Sequence, residues 1–164
     1  LSRGLGDVYK RQVVFCTSEN TAPTSEFIAK VQEILDPVSY AQQGVGVAPI
    51  GHRVTVEGAV AKPVTVCVRL TLNGGATTDT VKPVAEKALN AYFAELNAGW
   101  KDTQVVTVDA FTNTGLIVRR AKIESLLLDV TGVVDVESLT LNGAAENVHL
   151  GKDELAVLGG VTYE

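Results

Sequence analysis

The most constraining feature of this sequence is an unbroken alternation between positions 64 and 72. Val64, Val66, Val68, Leu70 and Leu72 are separated by single, mostly polar residues. Because successive side chains of a strand point to opposite faces, this period of two predicts a strand that is buried on one side. Other elements must cover the apolar face, so the pattern predicts a layered fold.

Three further segments have the spacing of amphipathic helices. Apolar residues recur every three or four positions within residues 27–35, 81–96 and 123–130. Pro37 is expected to end the first helix and Gly132 the third, because proline cannot continue the hydrogen-bond ladder and glycine favours helix C-termini. In the second helix, Pro83 is expected in the first turn, the only turn that tolerates it.

The remaining segments predict shorter strands. Alternating or apolar runs at residues 13–15, 54–57 and 134–141 predict strands, and a bulge or bend is expected between Gly58 and Pro63. Residues 105–108 are expected to lead irregularly into the third helix. The predicted fold class is therefore α+β, with a mixed or antiparallel sheet and helices packed on one face.

Composition excludes several classes of protein. The 164 residues are 46% hydrophobic and 20% charged, with mean hydropathy +0.18, which is typical of a globular domain. Fourteen basic and 19 acidic residues give a net charge of −5, which argues against a large nucleic-acid surface. No apolar run approaches the roughly 18 residues of a membrane-spanning helix.

The first twelve residues have neither the helical nor the strand periodicity found in the rest of the sequence. Residues 1–12 read LSRGLGDVYKRQ, and the ending DVYKRQ resembles the translated adapter read-through found at the ends of environmental reading frames. The sequence also contains no methionine. We therefore expect a metagenomic fragment whose residues 1–12 are a non-native scar, and we expect their deletion to leave thermal stability unchanged.

No motif in the sequence points to catalysis or to a cofactor. His52 and His149 are far apart and lack ligand spacing, and Cys16 and Cys67 form no metal motif. There is no Gly-x-Ser-x-Gly turn and no phosphate-binding glycine loop. The basic cluster at residues 119–122 lacks interleaved aromatic residues for base stacking. We expect no enzyme activity, no metal and no cofactor.

Three groups of motifs, in order, carry a resemblance to a known family. A strand and helix are followed by Asp36-Pro37, and a glycine loop then runs into APIGH at residues 48–52. Later come IESLL, VTGVVDV and LTLNG within residues 123–143. The ending combines ENV with DELAVLG at residues 153–159, where Ala156 replaces a common proline. This order resembles baseplate J-like proteins, the wedge components of contractile phage tails.

The resemblance implies structural work without catalysis. Wedge subunits form a ring around the hub and couple host contact to sheath contraction. The implied partners are other copies of the chain and neighbouring baseplate proteins, namely hub, sheath-initiator-like and other wedge subunits. Nucleic acid, membrane and small-molecule substrates are not implied. The implied location is the virion tail baseplate, after assembly in the host cytoplasm.

The same resemblance suggests a domain division and a set of interface residues. After the scar, residues 13–45 would be the trailing strand and helix of an upstream wedge domain, 46–146 an α+β C-terminal domain with a ferredoxin-like part, and 147–164 an extended tail. The turn and interface candidates are Gly44, Gly46, Pro49, Gly51, Gly132, Asn142 and Gly143. Among aromatic residues, Tyr40, Tyr92 and Trp100 are candidate anchors, although Tyr92 and Trp100 fit a helix core better.

Two other functions remain open at this point. A small ferredoxin-like ligand-binding module also contains the Gly-Val-x-Asp-Val pattern, and such a module should gain stability from its metabolite or metal. An enzyme is a third reading, without a nucleophile or metal site to support it. Within the leading reading, a phage tail and a phage-derived injection particle share the same sequence pattern.

Overall fold

The computed structural model describes residues 9–100 and 115–164, and it confirms the α+β class. The chain divides into two compact units, unit 1 (Leu1–Ala59) and unit 2 (Val60–Glu164). The expected boundary at residue 45 lies inside unit 1, and the expected boundary at residue 146 lies inside unit 2.

Unit 1 is a strand–helix–strand arrangement. Strand β1 (Tyr9–Phe15) pairs in parallel with strand β2 (His52–Gly58), and helix α1 (Ser25–Leu35) lies between them in sequence. A short 3-10 turn, Val38–Tyr40, follows α1. Parallel neighbours need a crossover connection, and α1 with the loop after it supplies that connection.

The start of β1 differs from the expectation. The strand begins at Tyr9 rather than at Val13, and its first four residues pair with residues 52–55 of β2. Strand pairing uses backbone N–H and C=O groups and does not require an alternating apolar pattern. Lys10, Arg11 and Gln12 are polar, so hydrophobic periodicity does not indicate that they belong to a strand. Deleting residues 1–12 would remove this pairing, so unchanged stability no longer follows.

Two polar side chains hold the elements of unit 1 together. The Gln32 side chain accepts a hydrogen bond from the Val56 N–H at 2.8 Å and donates to the Val54 carbonyl at 2.9 Å. The Asp36 carboxylate, only 3% exposed, accepts from the N–H groups of Gln42 at 3.1 Å and Val54 at 3.0 Å. These bonds join the end of α1 to β2 and to the loop between them.

The described residues of unit 2 form a three-stranded mixed sheet, two helices and two short strands. Its elements in chain order are β3 (Val60–Leu72), α2 (Thr78–Ala98), β4 (Ile117–Val118), α3 (Arg120–Leu128), β5 (Val133–Leu141), β6 (Val148–His149) and β7 (Glu154–Tyr163). The main sheet has the order β5-β3-β7, and the short strands β4 and β6 pair separately. The central strand β3 is antiparallel to β5 and parallel to β7.

The alternating pattern of β3 separates a buried face from an exposed one. Val64, Val66 and Val68 are at most 1% exposed, whereas Thr65 and Arg69 are exposed. Helices α2 and α3 contact β7 and β5, respectively, and contact each other. The largest fully buried side chains of the helices are Leu89, Ile123 and Leu127. The predicted half-buried strand is therefore confirmed.

Three expectations for unit 2 need correction. The expected tail contains β7, which is a full member of the sheet. Pro63 lies inside β3 and does not interrupt the strand, although the pairing with β7 shifts register just after it, between Val64 and Thr65, where a bulge or bend was expected. At Pro63 only β7 flanks the strand, because β5 pairs from Val66 onward. A strand with one open side can accept a residue without an N–H. Pro83 is the sixth residue of α2 and so lies in its second turn.

Two further expectations are not tested by the residues that the structure describes. The segment at residues 105–108 lies outside the described residues. The ferredoxin-like part stays a prediction because the described strands of the main sheet number three. Within residues 9–100 and 115–164, no helix is both long enough and apolar enough to cross a membrane.

We predict that Asp36→Ala destabilises unit 1 by about 2–4 kcal/mol, because it leaves two partly buried N–H groups without their acceptor. Urea unfolding followed by circular dichroism measures the change. The control is Glu33→Ala, which removes an exposed carboxylate from the same helix and should change stability by less than about 0.5 kcal/mol. Equal effects of the two variants would contradict the role assigned to Asp36.

Candidate interaction surfaces

The loop after α1 folds back over the end of that helix. Val47 N–H donates to the Ile34 carbonyl and Ala48 N–H to the Leu35 carbonyl, at 3.1 and 2.8 Å. A Cβ at Gly46 would lie 2.5 Å from the Leu35 oxygen, so only glycine permits this approach. The loop amides thus satisfy carbonyls that the helix end leaves without intrahelical partners.

The other candidates in this loop form turns. Gly44 and Gly51 have φ values of +70° and +82°, a region that favours glycine. The Pro49 carbonyl accepts a hydrogen bond from His52 N–H at 3.0 Å, with Gly51 as the third residue of the turn. This arrangement matches a type II turn with Pro49 in the first position, and Gly51 in the third position supplies the required positive φ.

The candidates in unit 2 also lie in turns. Asn142 and Gly143, with φ values of +51° and +80°, form the two-residue connection between Leu141 and Ala144, which exchange backbone hydrogen bonds. Positive φ at both central residues is the requirement of a type I′ turn. The Asn142 side chain also accepts a hydrogen bond from Thr65 N–H at 2.9 Å, which ties the turn to β3.

Gly132 connects α3 to β5 and has a φ of +100°. Its carbonyl accepts a hydrogen bond from Asn73 N–H, and a Cβ there would lie 2.7 Å from the Ala76 side chain. All seven candidates therefore lie in loops, and for all except Pro49 the local structure explains the residue type. Their role at an interface stays a prediction.

The candidate aromatic anchors divide as the helix pattern indicated. Tyr92 and Trp100 are buried, with exposures of 8% and 5%, whereas Tyr40 is 53% exposed. The Tyr92 hydroxyl accepts a hydrogen bond from Arg119 N–H at 3.1 Å, and the Trp100 Nε1–H donates to the Lys152 carbonyl at 2.9 Å. Of these three aromatic residues, Tyr40 is therefore the one exposed to a partner.

The exposed face of the main sheet carries a row of polar side chains. The Thr71 hydroxyl donates to Glu137, and the Cys67 thiol donates to the Glu164 carboxylate at 3.1 Å. This hydrogen bond is the main cause of the raised pKa of Cys67. Arg69 lies 3.6 Å from the same carboxylate in an exposed ion pair that contributes little stability.

The two histidines weighed for chemistry lie on different units, and the basic cluster lies on α3. His52 lies on β2 of unit 1 and His149 on β6 of unit 2. Among the described residues, no group of three His, Cys, Asp or Glu side chains is placed to hold a metal ion. In the basic cluster, Arg120 pairs with Glu124 one helical turn away at 3.2 Å, which is an ordinary surface contact.

Sequence reasoning missed three polar residues that organise the two units. Gln32, Asp36 and Asn97 each hydrogen-bond strand or loop backbone, and Asp36 and Asn97 are buried. One signal was present in the sequence. Gln32 and Asn97 both occur within an otherwise amphipathic helix, where a buried polar side chain needs a specific partner.

Comparison with known proteins identifies the family. Residues 64–164 match the family described as Baseplate J-like protein C-terminal domain, and they cover more than half of the chain. The chain belongs to the baseplate J-like protein family. The matched baseplate J-like domain begins four residues after the start of unit 2 and contains α2, α3 and most of the three-stranded sheet.

Similar proteins are found by sequence and by fold. The chain is 30% identical over 149 residues to "Phage-like element PBSX protein XkdT" and to "Uncharacterized protein YqbT", both from Bacillus subtilis strain 168. The match covers 90% of this chain and 38% of each relative. A chain in a cryo-EM structure of the anti-feeding prophage (AFP) baseplate, 6-fold symmetrised, shares the fold, with a TM-score of 0.56 and 12% identity, over 96% of this chain and 30% of that one.

We predict that Gly132→Ala destabilises the baseplate J-like domain more than Gly143→Ala does, by about 1–3 kcal/mol. Both glycines have positive φ, so both substitutions strain the backbone, but only a Cβ at Gly132 meets another side chain. A Cβ at Gly143 meets nothing within 4 Å. Thermal unfolding of the two variants measures the difference, and equal losses would contradict the packing argument.

A second prediction concerns Tyr163, whose pKa is raised to about 12, first by burial and then by the charge of Glu86. The Tyr163 hydroxyl ionises near pH 10 in the unfolded chain and near pH 12 in the folded chain. Its contribution to the free energy of unfolding is therefore fully present below pH 10 and is lost as the pH rises towards 12. No hydrogen-bond partner reaches its hydroxyl among the described residues, so Tyr163→Phe should cost little at pH 7.

Melting temperatures of the wild type and Tyr163→Phe between pH 8 and roughly 11 test this prediction. The fall in stability above pH 10 should be shallower in the variant. Tyr40→Phe is the matched control, because it removes the hydroxyl of an exposed tyrosine. Parallel slopes for the wild type and Tyr163→Phe would contradict the assignment.

Proposed function

We propose that this chain is a structural component of a contractile phage tail baseplate. The observation that carries the proposal is the match of residues 64–164 with the baseplate J-like C-terminal domain. The likeness to XkdT, which is named as a protein of the phage-like element PBSX, supports it. The fold shared with a chain of the AFP baseplate structure gives further support at the level of architecture.

The finer proposal is a wedge subunit that helps form the ring around the hub and couples host contact to sheath contraction. Its partners would be other copies of the chain and the hub, sheath-initiator-like and other wedge proteins. Assembly in the host cytoplasm would precede its location in the virion tail. In this role the functional parts of the chain would be the sheet edges and turns that contact neighbouring subunits, and no catalytic group would be needed.

The chemistry of the described residues agrees with a structural role. The polar side chains on the exposed face of the main sheet mostly pair with one another, as Thr71 does with Glu137 and Cys67 with Glu164. The buried polar groups Asp36 and Asn97 bond to backbone. These groups stabilise the fold, and a non-enzymatic function is the one that their arrangement favours.

The first experiment reads the DNA that flanks this coding frame in its source sample. We expect neighbouring frames for sheath, tube, spike or sheath-initiator proteins. Coexpression of the chain with the proteins of those frames should then yield a complex of fixed stoichiometry on size-exclusion chromatography. Coexpression with an unrelated protein of similar charge is the control for non-specific association.

Metabolic neighbours and no complex would contradict the baseplate proposal. A thermal shift with a metabolite or a divalent metal ion would then favour the ligand-binding alternative, because a ligand that binds only the folded state raises its stability. Baseplate neighbours together with an unchanged melting temperature across the same ligands would support the structural role.

A further inference from the structure

Two strands of the main sheet end in the same short sequence. The letters LTLNG occur at residues 70–74, where β3 ends, and again at residues 139–143, where β5 ends. Because β3 and β5 are antiparallel, their Asn-Gly pairs lie at opposite ends of the sheet. Asn73 and Asn142 are both exposed to solvent, as are the glycines that follow them. The same dipeptide therefore occurs in two different structural settings.

An exposed Asn-Gly pair can modify itself. The backbone nitrogen of the glycine attacks the side-chain carbonyl carbon of the asparagine, a new C–N bond closes a cyclic imide, and the side-chain amide leaves with the proton of that nitrogen as ammonia. Water then adds to either imide carbonyl and breaks one of its C–N bonds, which leaves aspartate or isoaspartate. Glycine favours the attack because no Cβ hinders the approach and its backbone rotates freely.

At the second pair, the asparagine is bound to the neighbouring strand. The Asn142 Oδ1 accepts hydrogen bonds from the Thr65 N–H at 2.9 Å and from the Thr65 hydroxyl at 3.1 Å, and the Asn142 N–H donates to the Thr65 carbonyl at 2.9 Å. Closing the imide ring also rotates the Asn-Gly peptide, which breaks the backbone bonds that Leu141 and Ala144 exchange across the turn. The reaction at Asn142 therefore gives up several hydrogen bonds at once.

The side chain of Asn73 is held only within its own loop. Its Oδ1 accepts from the Gly75 N–H at 3.2 Å, which is its one side-chain hydrogen bond among the described residues. This bond spans the Asn73-Gly74 peptide, so it keeps the carboxamide beside the Gly74 nitrogen that would attack it. Rotation of that peptide breaks one further bond, from the Ala76 N–H to the Asn73 carbonyl.

The two settings differ in the cost of reaching the reactive geometry. Both Oδ1 atoms accept a hydrogen bond that polarises the carbonyl, so activation of the carbonyl does not separate the two sites. At Asn142 the carboxamide must leave a residue of another strand and a tight turn must open. At Asn73 the change stays within a loop that contains two successive glycines. Local opening of this kind controls how often a protected group becomes reactive.

We propose that Asn73-Gly74 is a site of spontaneous deamidation, whereas the contacts of Thr65 and the turn protect Asn142-Gly143. The product places a carboxylate in the loop that joins β3 to α2, and its isoaspartate form lengthens the backbone there. The Asn73 N–H donates to the Gly132 carbonyl at 2.9 Å, so the changed loop adjoins the connection between α3 and β5. This modification is independent of the proposed baseplate role.

Peptide mapping by mass spectrometry tests the site in the whole chain during incubation in mildly alkaline buffer. The two asparagines fall on separate tryptic peptides, and aspartate and isoaspartate products are separated from asparagine by mass and retention. Asn73 should react at least about tenfold faster than Asn142, because ring closure at Asn142 gives up more hydrogen bonds. Equal rates, or a faster reaction at Asn142, would overturn the proposal.

Two controls separate structure from sequence. In concentrated urea the chain is unfolded, and the two pairs, which share the same preceding residues, should then react at similar rates. A difference that persists in urea would contradict protection by the fold.

The variant Gly74→Ala should slow the reaction at Asn73 and leave Asn142 unchanged, because a Cβ on the attacking residue hinders its approach. A Cβ there meets nothing within 4 Å, so the variant should keep the fold, which circular dichroism checks. An unchanged rate at Asn73 in this variant would show that Gly74 is not the attacking residue.

Discussion

In each unit, a carboxamide side chain on a helix hydrogen-bonds the backbone of a neighbouring strand. Gln32 of α1 accepts from Val56 and donates to Val54, and Asn97 of α2 accepts from the N–H and donates to the carbonyl of Ala156, at 2.9 and 2.8 Å. A carboxamide offers one acceptor and one donor side by side, as a neighbouring strand does. The rest of each unit depends on this contact, since it fixes both the helix and the strand against which the core packs.

These contacts also determine which parts of a strand remain open to other chains. At Ala156 the backbone groups of β7 are already occupied by Asn97, which is buried. An added strand cannot pair there without leaving a carboxamide unsatisfied, which is costly inside a protein. Side chains of this kind limit edge-to-edge association, a hazard for proteins with exposed strands.

Local periodicity predicted much of this fold because local rules govern it. The alternation of β3 and the apolar stripe of α2 both appear in the structure, and the Asn142-Gly143 pair forms the turn that its sequence favours. The pairing of β3 with β7 was missed, because partners about 95 positions apart leave no mark in a local pattern. Pro63 was read as a break for the same reason, since its tolerance depends on where β5 stops.

The candidate interface residues were predictable as turns, and no more than that. Glycine and asparagine are the residue types that favour positive φ, so the sequence alone predicts turns at these positions. The exposure of Val47 and Ile50 depends instead on the hydrogen bonds by which Asp36 holds the loop against the end of α1. An aspartate before a proline reads as an ordinary helix stop. Asp36 is also a buried acceptor for one loop amide and one amide of β2, and these neighbours come together only in three dimensions.

The parallel pairing of β3 with β7 has a consequence for how unit 2 forms. Val60 of the central strand pairs with Glu154, and Val68 pairs with Tyr163, so most of the unit lies between the two partners in sequence. On a ribosome, β3 would emerge long before β7 and could not gain this neighbour during most of synthesis. Closing so long a loop is slow, so the sheet should be the last part of the unit to become complete.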